Sequence, residues 1–104
     1  MKRYSQMTPE ELTSSIKELE KELIEAKKNK LESNAAILKQ KINLAKAYLI
    51  DPQTIQLELK YEIEGESGLF QVEYLNGIYA WGTFNGKIEK EAFPLSLLKP
   101  IDEN

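Results

Sequence analysis

Leu69-Phe70-Gln71-Val72-Glu73-Tyr74-Leu75-Asn76-Gly77-Ile78-Tyr79-Ala80-Trp81-Gly82-Thr83-Phe84 is the stretch that decides the fold of this 104-residue chain. Two alternating runs flank Asn76-Gly77. Asn-Gly in that setting favours a two-residue hairpin turn, because both residues tolerate positive φ and the turn's twist suits the strands. With Asn76-Gly77 as the turn, Leu75 faces Ile78, Tyr74 faces Tyr79 and Val72 faces Trp81. One face then carries Phe70, Val72, Tyr74, Tyr79 and Trp81, and the other Gln71, Glu73, Leu75, Ile78, Ala80 and Gly82. The aromatic face is the core candidate, since aromatic rings bury the most area and the other face offers little apolar surface. Gly82 inside a strand run predicts a bend or bulge.

Downstream, Asn85-Gly86 predicts a second hairpin into residues 87–93, and Pro94-Leu95-Ser96-Leu97-Leu98 predicts a short turn of helix. Upstream, Ile55, Leu57, Leu59, Tyr61 and Ile63 alternate with Gln56, Glu58, Lys60, Glu62 and Glu64, the pattern of a half-buried strand. Gly65-Glu66-Ser67-Gly68 is the turn between them. Four or five short antiparallel strands ending this way imply a small SH3-like β-barrel over residues 53–104. So short a segment makes a marginal core by itself.

The period changes in residues 1–52. Thr8-Pro9-Glu10-Glu11 is a helix start, with Thr8 as cap, Pro9 at the first helical position and Glu11 completing a capping box. Met7 and Leu12 sit where a hydrophobic staple places them. Leu12, Ile16, Leu19, Leu23 and Ala26 form one apolar stripe, and Leu31, Ala35, Leu38, Ile42, Ala45 and Leu49 a second. Lys27-Lys28-Asn29-Lys30 separates them, with Ser33 or Asn34 as the next cap and Asp51-Pro52 as the stop. The second helix carries a further apolar row at Ile37, Leu44 and Tyr48, which asks for a second partner. The expected class is therefore α+β: an N-terminal antiparallel α-helical hairpin packed on a C-terminal small SH3-like β-barrel.

Composition narrows the chemistry. The chain has neither histidine nor cysteine, which removes imidazole acid–base catalysis, thiol nucleophiles, disulfides and the common zinc sites. Met1-Lys2-Arg3 precedes polar residues where a signal peptide needs an apolar run, so a cytoplasmic setting is expected, with no membrane partner. The carboxylates Glu58, Glu62 and Glu64 share a strand face, with Glu66 and Glu73 nearby; they have no calcium-loop spacing and read as a solvated strand face. We expect no enzymatic activity, no cofactor and no metal site.

Two residue groups remain for recognition. Residues 27–50 hold six lysines against Glu32 alone, an excess that suits phosphates or an acidic partner. Lys27, Lys28 and Lys30 lie at the helical turn, and Lys39 and Lys46 share a face of the second helix. No arginine, the usual bidentate reader of guanine, falls in either helix, and charge runs are usually just solvated. Tyr79 and Trp81, with Tyr74, form the other group: a stacking groove if exposed, core if buried, with core the expectation. The leading functional expectation is a regulatory module acting through contact with a protein partner. The alternative is a nucleic-acid-binding regulator using the lysines.

The stretches Lys2-Arg3-Tyr4-Ser5-Gln6-Met7-Thr8, Ala45-Lys46-Ala47-Tyr48-Leu49, Tyr74-Leu75-Asn76-Gly77 with Ala80-Trp81-Gly82, and Leu95-Ser96 resemble the YfhH-like family of low-GC Gram-positive bacteria. The resemblance runs in order along nearly the whole chain. It implies a helical hairpin joined to an SH3-like barrel. The family's label of transcriptional regulator brings no catalytic or binding residues to carry over, and the segment from Asn85 to Phe93 is distinctive to this chain.

Overall fold

Thr8 opens the first helix as its sequence dictates. In the computed structural model, which describes residues 2–101, its hydroxyl accepts from the Glu11 N–H at 3.2 Å. The Glu11 carboxylate accepts from the Thr8 N–H at 3.1 Å, so two amides that the helix leaves unpaired are satisfied reciprocally. Lys2 also reaches the Glu11 carboxylate, at 3.0 Å. The Thr8 backbone hydrogen bond first, and then Lys2, hold the Glu11 carboxyl below its usual range.

Helix α1 spans Pro9–Lys28 and α2 spans Glu32–Ala47. The turn between them is a Schellman motif: the Leu31 N–H donates to the Ala26 carbonyl and the Lys30 N–H to the Lys27 carbonyl. Lys30 takes the left-handed position with φ 59, where glycine is usual. The Leu31 carbonyl at once accepts from the Ala35 N–H, so α2 starts earlier than a Ser33 or Asn34 cap requires. Leu12, Ile16, Ile42 and Ala45 form the buried centre of this pair, with Tyr4, Met7, Leu19 and Leu23 packed against it. Of the further row on α2, Ile37 and Tyr48 are exposed and Leu44 is half-buried.

The chain divides into two compact units between Leu49 and Ile50. The second unit begins with a 3-10 turn at Pro52–Thr54, capped by the Asp51 carboxylate. Five strands follow: β1 Lys60–Ile63, β2 Leu69–Asn76, β3 Tyr79–Phe84, β4 Glu91–Pro94 and β5 Leu98–Pro100. A 3-10 turn at Leu95–Leu97 joins the last two, where the sequence predicts a short turn of helix. The strands form one antiparallel sheet in the order β4-β3-β2-β1-β5. The class is α+β. The sheet is open, with β4 and β5 as its edges, so the closure expected of a barrel is not made among the described residues.

Two strands are shorter than the alternation suggests. Residues 55–59 do not extend β1: the chain turns at Leu57-Glu58, with Glu58 at φ 68, and Leu57 and Leu59 are 52% and 48% exposed. This turn still pairs with β2, the Glu58 N–H donating to the Val72 carbonyl and the Val72 N–H to that of Leu59. Glu58 therefore leaves the strand face it was expected to share with Glu62 and Glu64. Residues 87–90 likewise precede β4 without regular structure.

The central hairpin departs most from expectation. Its two-residue loop is Gly77-Ile78, with Asn76 opposite Tyr79, Leu75 opposite Ala80 and Tyr74 opposite Trp81. Gly77 holds φ 61 at the first loop position, where a type II′ turn needs positive φ. Between Tyr74 and Val72 the register shifts, and Val72 faces Gly82. Glu73 is thus the extra residue of a β-bulge. The bulge reverses the strand's parity, so Phe70, Val72 and Leu75 point to one face while Tyr74 points to the other. Ala80, Gly82 and Phe84 bury on the inner face, leaving Tyr79 and Trp81 outside.

The core consequently belongs to the phenylalanines. Phe70, Phe84 and Phe93 meet edge to face at 5.2, 5.2 and 5.8 Å, and Tyr61, Ile63, Val72, Ala80, Leu95 and Leu98 are buried in the same unit. The buried Tyr61 hydroxyl accepts from the Gln56 N–H at 2.9 Å. Gly82 is required by close approach: a Cβ there overlaps the Gln71 carbonyl oxygen and comes within 3.2 Å of the Phe70 ring.

Candidate functional site

Three of the aromatic residues that the sequence assigns to the core, Tyr74, Tyr79 and Trp81, lie on the outer face of the sheet instead, while Phe70 is buried as expected. Tyr74 and Trp81 face one another across β2 and β3, with ring centroids 6.0 Å apart and planes within 5°. Tyr74 is 42% exposed and Tyr79 37%, while Trp81 is half-buried. The strand parity that aligns Trp81 with Tyr79 also places Ala92 beside Trp81 and Pro94 beside Tyr79. A stacked pair of large rings therefore stands next to a low floor made by the edge strand.

Charge bounds this surface. Lys90, just before β4, reaches across to Glu73 at 3.3 Å, and its ammonium lies 5.9 Å from the centroid of the Tyr74 ring. That distance is within the range at which a cation is attracted to the negative face of a ring. Glu73 is available because the bulge turns it outward, so one irregularity both sets the aromatic pair on the face opposite Phe70 and Val72 and supplies its acidic neighbour. The loop leading to Lys90 carries the nearly fully exposed Ile88.

The lysines occupy separate places on the helices. Lys27, Lys28 and Lys30 are exposed around the Schellman turn, where Lys27 and Lys28 also face the negative end of the α1 dipole. Lys39 is exposed on α2, and Lys46 pairs with Glu20 of α1 at 3.9 Å. The first three are brought together at the tip; Lys39 and Lys46 are not part of that group. Elsewhere in the second unit, a groove of about 700 Å3 is lined by Ile55, Leu59, Tyr61, Leu95, Leu98 and Ile101. Among the described residues no group of three or more acidic side chains is placed to hold a metal ion, and no helix is long and apolar enough to cross a membrane.

Sequence reasoning singled out Tyr79 and Trp81 but missed Glu73, Lys90 and Ala92. Gly82 was the available signal, because a bulge was expected from it; which residue of the opposite strand bulges was not readable.

The comparisons with known proteins agree with the resemblance. The family described as "Protein of unknown function (DUF1811)" matches residues 2–99. An "Uncharacterized protein YfhH" from Bacillus subtilis (strain 168) is 38% identical over 99 residues, which cover 94% of this chain and 95% of that protein. This chain belongs to the YfhH-like family of unknown function, DUF1811.

Proposed function

We propose that the protein is a non-catalytic interaction module that acts in regulation by binding an extended segment of a partner protein on the outer face of its sheet. The observation that carries this reading is the outward-facing stack of exposed Tyr74 on half-buried Trp81, beside Ala92. A ring pair this large contributes more when buried than when wet, and aromatic side chains are the usual anchors of protein interfaces. Strand order β4-β3-β2-β1-β5 with a 3-10 turn before the last strand supports an SH3-like arrangement, and small domains of that kind present aromatic grooves to extended peptides. The test is capture of a partner by the full chain compared with its Tyr74→Ala and Trp81→Ala variants. A specific protein retained by the wild type and lost by both folded variants is expected. Capture unchanged by either variant sinks the reading.

A second reading, nucleic-acid binding, draws on the clustering of Lys27, Lys28 and Lys30 at one exposed tip. It predicts a gel shift that weakens steeply with salt and disappears in the Lys27/Lys28/Lys30→Glu variant. A shift insensitive to those three substitutions eliminates it.

A further inference from the structure

We infer that the Tyr74–Trp81 face takes a basic segment, with a partner's arginine or lysine displacing Lys90 from its place between Glu73 and the Tyr74 ring; this deepens, and rests on, the interaction-module reading. The site already holds a cation. Lys90 sits 3.3 Å from the Glu73 carboxylate and 5.9 Å from the Tyr74 centroid, a carboxylate and a ring face converging on one ammonium. The occupant is easily exchanged. Lys90 lies outside β4, whose pairing with β3 begins at Glu91, so its release breaks no ladder hydrogen bond. Both members of the ion pair are well exposed, and exposed pairs hold weakly. A guanidinium would do better in this place than the ammonium it replaces, since it both stacks on a ring and pairs with a carboxylate in a planar fork.

Charge complementarity points the same way. Residues 53–104 carry nine acidic side chains against four lysines, so this half attracts a basic segment and repels a phosphate backbone. Ala92 and Pro94, beside Trp81 and Tyr79, leave room for an extended chain to lie along the edge strand while its cation reaches Glu73.

Trp81 is the only tryptophan of the chain, so its fluorescence reports on the site directly. The full chain is titrated with a short Arg-Pro repeat peptide, with the same peptide carrying citrulline for arginine, and with an oligothymidylate. The basic peptide is expected to shift Trp81 emission saturably and to bind about tenfold more tightly than its citrulline form. Glu73→Gln weakens binding, whereas Lys90→Ala removes the internal competitor and tightens it about two- to fivefold. A pair that merely braced the sheet would make both substitutions weaken binding. Equal affinity for the citrulline peptide, weakening by Lys90→Ala, or saturation by oligothymidylate in place of the basic peptide overturns the inference. If the citrulline peptide binds equally well, the module reading stands and only the cation preference falls. If no peptide perturbs Trp81, the inference falls, and the module reading is decided by the capture experiment.

Discussion

Tyr74 and Trp81 stack on the outer face of the sheet while Phe70 and Val72 stay in the core, because a single residue, Glu73, is bulged out between Val72 and Tyr74. Without the bulge, strand parity would carry Tyr74 to the same face as Phe70 and Val72. Trp81 is therefore a half-buried residue of the outer face with one stacked neighbour, not a core ring. Trp81→Ala is expected to cost on the order of 1 kcal/mol, the scale of a cross-strand aromatic pair. Phe70→Ala, in the buried cluster, should cost about 3–5 kcal/mol. Urea unfolding followed by circular dichroism separates the two; equal losses would return Trp81 to the core.

Gly82 faces Val72 at the bulge, and the strand it sits on has no room for a methyl group. Gly82→Ala drives a Cβ into the Gln71 carbonyl oxygen, which is backbone and cannot rotate away. The expected loss is about 3 kcal/mol, the upper end for overpacking, with disturbed amide shifts on β2 and β3. Gly86→Ala differs in kind. Gly86 has open space around it but a φ of 79, so only the conformational penalty of about 1–2 kcal/mol applies. Chemical denaturation of the two variants in parallel checks the ranking.

Lys30 holds the left-handed position of the Schellman turn without being glycine. Lys30→Gly removes the Cβ penalty of that conformation, partly offset by the greater freedom of glycine in the unfolded chain. A net gain of about 0.5–1 kcal/mol is expected, read as a raised thermal midpoint. A loss of stability would show that the Lys30 side chain contributes something its exposed position does not reveal.

The helices were legible because their signals are local. Thr8, Pro9 and Glu11 act on amides within one turn, and the stripe from Leu12 to Ala26 fixes the buried face by spacing alone. The strand half was legible in its hairpins but not in its register. Asn76-Gly77 marked the hairpin, yet the loop closed one residue later on Gly77-Ile78, and the bulge at Glu73 then restored Phe70 and Val72 to the core. That choice is made by the packing of Phe70, Phe84 and Phe93, which come from three different strands and share no local pattern. The turn at Glu58 was hidden for a similar reason. Leu57 and Leu59 alternate like strand residues, and nothing in Leu57-Glu58-Leu59 announces a positive φ. The site inherited the register error: Tyr79 and Trp81 were found, but their exposure and their charged neighbours depended on the bulge.

Glu11 links the start of α1 to pH. Its carboxyl is held below the usual value of 4.5, first by the hydrogen bond from the Thr8 amide and then by Lys2. Over the range between the folded and unfolded values the unfolded chain binds the extra proton, so stability rises with pH there. The contribution is complete above the ordinary glutamate range and is lost as pH falls through the depressed folded value. Lys2→Ala should therefore raise the Glu11 midpoint, measured by NMR of its carboxyl carbon, only part of the way, because the Thr8 amide remains in place. Glu11→Gln keeps an acceptor for that amide but loses the charge. Its deficit relative to wild type should be present near neutral pH and vanish in acid, once the wild-type carboxyl is itself protonated. A deficit of constant size across that range would mean that Glu11 acts through shape alone and that its ionisation is not linked to folding.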